Sequence, residues 1–368
     1  MSFSGQRLKL ARQRRRLTGT DLGRLAGVSS VTISRLERTN NEPEEATVIA
    51  LSEALNYPAE FFFKAGVDVV EPDQASFRSL KSMTAGERDA SLAAASIAFE
   101  IADWIDQKFH LPSTEVPDMG HERDDPAGAA IRLRTAWGLG ERPIGNMIDL
   151  LEAKGVRVFS LAENSTRVDA FSCWRNGVPF VFLNTRKSAE RSRFDAAHEL
   201  AHLCLHAHSG SRSIPNAEHE ADLFAASLLM PERDVRAKIS SVRSLAQVIK
   251  AKRRWGVSAA ALTYRLSRLQ ILSEWHSRKM FQEISRLGYR TSEPDPMPRE
   301  HSLVWQTVFR ELWRDRITKA QIAKQLAIPS NELESLVFGL AGPIVDERSS
   351  SLGEGRKSPE LVVNNFID

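Results

Sequence analysis

The stretch AERSRFDAAHELAHLCLH, residues 189–206, decides how the centre of this 368-residue chain is read. Read as a helix, it sets His198 and His202 four residues apart on one face, where both imidazoles reach a single zinc ion. Glu199 lies about 100° round the helix from His198, placed to address a metal-held water without taking a coordination position. Its expected task is to accept the water's proton as that water attacks a peptide carbonyl, then deliver it to the leaving amine. A catalytic zinc also needs a third protein ligand and an open fourth position.

The third ligand is sought downstream. NAEHEADLFAASLLMP, residues 216–231, reads as an amphipathic helix carrying Glu218, His219, Glu220 and Asp222 at its start. A carboxylate from a second helix would complete a site of two histidines and one glutamate, and spacing alone does not choose between Glu218 and Glu220. His206 continues the face of His198 and His202 and reads as a supporting or packing side chain rather than a fourth ligand. Upstream, helices are expected at 127–138 and 143–154, followed by strands at 155–161, 168–174 and 178–184. The last two strands flank Asn176-Gly177, a strong hairpin signal.

RSRFDAAHELAHLCLH followed by EHEADLFAASLLMP resembles the ImmA/IrrE family of zinc metallopeptidases. AAIRLRTAWGLGERPIGNMIDLLEAKGVRV and PFVFLN fit the same pattern, so the likeness covers about residues 126–270. The resemblance implies Glu220, the glutamate just before Ala-Asp, as third ligand, with Glu218 in reserve. It implies orienting roles for Arg193 and Phe194, and it meets Ala201 where the family usually has Gly. By analogy with other HExxH peptidases, strand 178–184 is expected to be an edge that pairs with extended substrate. Tyr264 and Arg265 are candidate oxyanion donors.

At the other end of the chain, TGTDLGRLAGVSSVTISRLE, residues 18–37, has the grammar of a helix-turn-helix. Thr18 caps a helix with Asp21 at its third position, Leu22 and Leu25 are expected to face inward, and Gly27 takes a left-handed turn. Val28 plugs the gap between the helices, Ser29 caps the second, and Ile33 and Leu36 face its core. The stretch resembles the Xre/Cro/phage-repressor family over roughly residues 4–63. That likeness implies base contacts from Ser30, Val31 and Arg35, within an expected DNA-facing set that adds Thr32 and Ser34. It also implies a buried ion pair between Arg12 and Glu37, and finds Gly19 where a DNA-contacting Gln is common.

Charge agrees with a polyanion partner. The net charge is only +3, yet residues 1–41 hold nine Lys/Arg against two Asp/Glu, including Arg12, Arg14, Arg15 and Arg16. Hydrophobic residues make up 42% and charged residues 26%, an ordinary globular balance. No apolar run approaches the roughly 20 residues that cross a bilayer, and the N-terminus has no apolar signal region. Cys173 and Cys204 have no metal spacing and read as free thiols of a reducing compartment, so a cytoplasmic location is expected.

The expected fold is mostly α with a small β-sheet (α+β): a five-helix N-terminal domain, a zincin-like HExxH centre and a C-terminal helical region. Expected boundaries are 1–65 for the DNA-binding domain, 66–125 for a helical linker, 126–272 for the peptidase, 273–348 for C-terminal helices, and 349–368 for a flexible tail. Residues 317–338 show a faint second helix-turn-helix rhythm, with Ala320, Ile322, Leu326, Ile328 and Leu333 as its core and Glu332 and Glu334 on its outer face. The implied partners are an operator in double-stranded DNA, a repressor protein as substrate and a second copy of the chain; the implied cofactor is zinc. The implied function is a regulator with a zinc endopeptidase that cleaves a repressor, itself or a relative, in a stress, phage or mobile-element response. Cutting within 64–85 would separate DNA binding from the rest. The alternative is a repressor or antitoxin whose zinc is structural or ligand-sensing.

Overall fold

A computed structural model describes residues 2–39, 41–71, 75–77, 83–161, 170–207 and 214–341. The expected tail, 349–368, lies outside the described residues. The chain is mostly helical, with one four-stranded sheet.

The N-terminal domain holds α1 (Gly5–Arg14), α2 (Gly19–Ala26), α3 (Ser30–Arg38), α4 (Glu45–Leu55) and a 3₁₀ turn, Ala59–Phe63. Thr18 accepts from the Asp21 amide, Gly27 adopts φ 68°, and Ser29 accepts from the Thr32 amide. Leu8, Leu22, Ile33, Leu36, Leu51, Phe61 and Phe62 fill the core. One inward position differs from expectation: Leu25 is 57% exposed, and Gly23 and Ala26 join Leu22 inside. The inner stripe of this short helix runs through Leu22, Gly23 and Ala26, and leaves Arg24 and Leu25 outside. A Cβ on Gly23 would stand 2.7 Å from the Val28 carbonyl oxygen. Gly5 serves the same end, since a Cβ there would meet the Leu36 carbonyl oxygen at 2.2 Å.

The stretch expected to be a linker contributes to the body of the protein. It supplies β1 (Ser76–Phe77) and α5 (Ala85–Asp106), a helix started by a capping box of Thr84 and Glu87. The spacing of Ile97, Ile101, Trp104 and Ile105 predicts one inward stripe; the three isoleucines are buried and Trp104 is half-buried. Glu100 on α5 accepts from Arg7 at 2.9 Å and from Lys64 at 2.7 Å, tying the helix to the DNA-binding domain. Phe99 packs edge-on against Phe180 at 4.7 Å, tying its other side to the sheet.

Next come α6 (Pro126–Ala136) and α7 (Met147–Ala153), then β2 (Arg157–Ser160), β3 (Phe171–Arg175) and β4 (Val178–Leu183). The first two residues of the strand expected at 168–174 lie outside the described residues. The hairpin turn forms as Asn176-Gly177 predicts, with φ of 50° and 78°. The strand order is β1-β3-β4-β2, with β2 parallel to β4 and the other pairs antiparallel. This corrects one expectation: β4 is an internal strand, flanked on both sides, and is not an edge open to substrate. Its apolar run VPFVFL explains why, since five of its six residues are buried.

The long α8 (Ala189–Leu205) crosses the sheet under α9 (Ala217–Leu229), followed by α10 (Glu232–Lys238), α11 (Leu245–Lys252), α12 (Ala259–Arg268) and α13 (Glu274–Arg286). The C-terminal segment forms α14 (Leu303–Arg314), α15 (Lys319–Leu326) and α16 (Ser330–Leu333). Ile322, Leu326, Ile328 and Leu333 are buried as expected, but Ala320 is exposed and Ala323 takes its place. Glu332 is also corrected: it is 2% exposed and receives Arg14 at 2.8 Å and Arg15 at 2.5 Å. The second helix-turn-helix rhythm therefore docks on α1 through Glu332, while Glu334 is exposed as expected. Trp305 anchors the other end by donating its indole N–H to the Val158 carbonyl at 2.9 Å.

Candidate metal centre and nucleic-acid interface

The metal site is built by two helices crossing. Ser188 starts α8 by accepting from the Arg191 amide, and every turn of the helix beyond it is covered by the sheet, α7 or α9. His198 and His202 project from one face, with their Nε2 atoms 3.0 Å apart. From α9, Glu218 presents Oε2 at 3.3 Å from His198 Nε2 and Oε1 at 3.4 Å from His202 Nε2. Three donors at bonds of about 2.0–2.2 Å round a tetrahedral zinc stand about 3.3–3.6 Å apart. The two separations to Glu218 fit that cage and the histidine pair stands about 0.3 Å closer than it, with all three ligand atoms within 4.8 Å of one another.

Glu220, the carboxylate that the resemblance assigns, is not in this cluster. Residues two apart on a helix differ by about 200°, so Glu218 and Glu220 cannot both face the paired Nε2 atoms. Asp222, four residues from Glu218, shares its face and meets His198 Nδ1 at 3.0 Å. Glu220 instead accepts from both Arg123 nitrogens, at 3.0 and 3.1 Å, and meets His206 Nε2 at 2.9 Å. His206 Nδ1 lies 2.9 Å from His202 Nδ1. A consistent proton assignment follows: His202 Nδ1–H donates to His206 Nδ1, and His206 Nε2–H donates to Glu220. Both chains turn an Nε2 lone pair toward the centre.

Electrostatics favour a cation. Burial pulls His202 down to about 4, so at neutral pH its imidazole is uncharged, the form that binds metal. Glu218 feels burial first, yet the influence of the facing His198 and His202 outweighs it and holds the carboxyl well below the usual range. Glu199 holds its Oε2 against the sheet, where Ser172 and Ser76 donate to it at 2.7 and 2.8 Å. Burial pushes this carboxyl up to about 7, against the pull of His198 and the two serines. Its Oε1 is buried and has no hydrogen-bond partner among the described residues. A buried acceptor with nothing to accept from suits a water held at the metal.

Of the supporting residues, Arg193 donates to the carbonyls of Ile144 and Trp255 and to Glu300, locking α8 as expected of an orienting residue. Arg265 is buried and donates to the Met230 carbonyl at 3.0 Å, which makes it structural. Tyr264 lines an open cleft with Phe194, Asp222 and Arg290. Ser76, Ser172 and Arg123 carry no signal in the sequence, because each meets the site from a distant segment. Asp222 had one: its spacing from Glu218 is a full helical turn.

On the N-terminal domain, the first half of α3 is open. Val31 is 74% exposed, and Ser30 and Arg35 are exposed beside it. Thr32 and Ser34 are half-buried; the Thr32 hydroxyl is 2.8 Å from Ser29 Oγ, and Ser34 Oγ accepts from Arg38. Arg12 pairs with Glu37 through two bonds, at 2.5 and 2.9 Å. The basic run is thus spent inside the fold at Arg12, Arg14 and Arg15, and α3 itself supplies the exposed cations Arg35 and Arg38.

Comparison with known proteins finds matches to both domains. Residues 5–60 match a family model described as a helix-turn-helix domain, and residues 151–267 match the M78 peptidase model, described as the IrrE N-terminal-like domain. Over 60 residues the chain is 35% identical to repressor protein C2 of Salmonella phage P22, covering 16% of this chain. The chain spans only 28% of the length of that relative. Among the described residues, no helix is long and apolar enough to cross a membrane. The polypeptide joins a helix-turn-helix DNA-binding domain to a peptidase-family domain of the ImmA/IrrE type.

Proposed function

We propose that the chain is a transcriptional regulator whose second domain is a zinc-dependent endopeptidase that cleaves a repressor protein. The observation that carries this reading is the union of two features. Two histidines and Glu218 converge on one point, and Glu199, the residue next to His198 in the chain, is buried and keeps one oxygen without a partner among the described residues. A purely structural metal needs the first feature and has no use for the second.

In this reading His198, His202 and Glu218 hold zinc, which when bound would polarise a peptide carbonyl and make a water more acidic. Glu199 takes a proton from that water on Oε1 and returns it to the leaving amine. Ser172 fixes the carboxylate by holding Oε2, so that Oε1 is the atom in play. Asp222 orients His198, and the His206–Glu220–Arg123 chain orients His202. The α3 surface with Ser30, Val31, Thr32, Ser34 and Arg35 enters the major groove of an operator, in a dimer of the chain. A repressor is favoured as substrate because the N-terminal domain is itself similar to a phage repressor.

Cells expressing the wild type are compared with cells expressing Glu199→Gln by mass spectrometry of protein N-termini, under DNA-damaging and oxidative stress. New N-termini confined to the wild type, and reproduced with purified proteins, are the expected result. Identical N-termini in both, with zinc bound in both proteins, would replace this reading with a regulator whose metal is not catalytic.

A further inference from the structure

The outer edge of β3 is the face of the sheet nearest the general base, and part of the chain's own interdomain segment already lies on it. β1 pairs antiparallel with β3, Ser76 opposite Ser172 and Phe77 opposite Phe171. Ala75 and Ser76 are buried. The two serine hydroxyls are 3.1 Å apart and both reach Glu199 Oε2. An extended peptide that adds to this sheet beside Glu199 needs the same backbone edge.

We infer that Ser76–Phe77 is a resident strand which blocks the peptide-binding edge of the centre, and that substrate enters as an extended strand on β3 only after this segment leaves. The inference rests on the peptidase reading and names the regulation of that site. The segment is an occupant rather than a substrate because what it brings to the base is a side-chain hydroxyl. With Ser76 seated, Glu199 Oε2 is saturated by two donors, and the edge that would align a scissile carbonyl is filled. The block is built to be released. A two-residue strand has little pairing of its own, and its hold comes from being tethered at high effective concentration. The tether leads to the DNA-binding domain, and one nearby latch is visible: Arg175, the last residue of β3, donates to Asp68 at 2.8 Å while also gripping Asp103 of α5. Movement of the N-terminal domain therefore pulls on the strand that covers the site.

The test uses the full zinc-loaded chain and a fluorescein-labelled peptide of its own residues 71–80, EPDQASFRSL. Phe77→Asp puts an acidic residue at the register position directly opposite the buried Phe171, and is expected to strengthen binding of the added peptide by about tenfold or more over wild type. A second variant, Ser76→Cys with Ser172→Cys, faces two thiols across directly opposed positions, within the Cα spacing a disulfide spans. Its oxidised form should bind no peptide, and reduction should restore wild-type binding. Equal binding by wild type and Phe77→Asp, together with equal binding by the oxidised and reduced double variant, overturns the inference. So does failure of the disulfide to form, or cleavage of the chain's own Ser76–Phe77 bond. Peptide that binds the released variant and stays uncut is the behaviour expected of an occupant and supports the blocked edge; the peptidase reading stands or falls separately, on the protein N-termini compared between wild type and Glu199→Gln.

Discussion

Replacing the two candidate carboxylates of α9 in parallel separates ligand from support. Glu218→Gln removes an oxygen that stands 3.3–3.4 Å from both imidazole Nε2 atoms, so it deletes one of three donors. Glu220→Gln leaves those three atoms in place and weakens only the hold on His206, two hydrogen bonds from the centre. Asp222→Asn acts in between, since Asp222 touches His198 directly at 3.0 Å. Loss of an outer partner of a metal-binding histidine typically lowers affinity about 10–100-fold, or about 1.4–2.7 kcal/mol. Asp222→Asn should fall in that range, Glu220→Gln at or below its lower end, and Glu218→Gln beyond its upper end. The assay is competition for zinc between each purified chain and a chromophoric chelator, with circular dichroism to show that each variant is folded. A larger loss for Glu220→Gln than for Glu218→Gln would refute the geometric argument and return the third position to Glu220.

Three further outcomes are expected. Glu332→Ala strips the counter-charge from Arg14 and Arg15; breaking a buried pair costs about 3–5 kcal/mol, and because Arg15 can turn partly to solvent a loss of about 2–3 is expected. Chemical unfolding checks it, and a change under about 0.5 kcal/mol would mean that the C-terminal helices do not depend on this contact with α1. Burial pushes Glu152 up to about 8, above its value in an unfolded chain, so its contribution to stability is fully present below about 4.5 and fades as pH rises through about 8. Glu152→Gln should therefore flatten the decline of the unfolding midpoint between about pH 5 and 8, whereas parallel wild-type and variant curves would contradict that assignment. Arg35→Ala should weaken binding to the preferred operator by about 1–3 kcal/mol with little effect on unrelated DNA, read by fluorescence anisotropy at fixed salt. Equal losses on both DNAs would make Arg35 a phosphate contact instead.

Local rules carried much of this structure in the sequence. Caps, turns and periodicity are set by neighbours, and so Thr18, Gly27, Ser29 and Asn176-Gly177 fall where they were expected. The facing of His198 and His202 is likewise a matter of helical spacing. Where long-range packing decides, the reading strayed. The family motif points to Glu220, whereas helical angle pairs Glu218 with Asp222 and sets Glu218 against the two Nε2 atoms. Strand 178–184 was expected at an edge, although its nearly unbroken apolar run fits an internal strand better. The basic run of α1 suggested a DNA face, but Arg14 and Arg15 meet Glu332, more than 300 residues away in sequence, and nothing local announces it. Ser76 and Ser172 reach Glu199 across separations of 123 and 27 residues, for the same reason beyond the range of pattern.

The central claim is a metal held by His198, His202 and Glu218 with one position open beside Glu199. Diffraction from zinc-loaded crystals at the zinc absorption edge tests it most directly. One anomalous peak is predicted, within about 2.0–2.2 Å of both Nε2 atoms and a Glu218 oxygen, with a non-protein fourth ligand near Glu199 Oε1. A peak at His206 and Glu220, or a fourth protein ligand closing the site, would contradict the account.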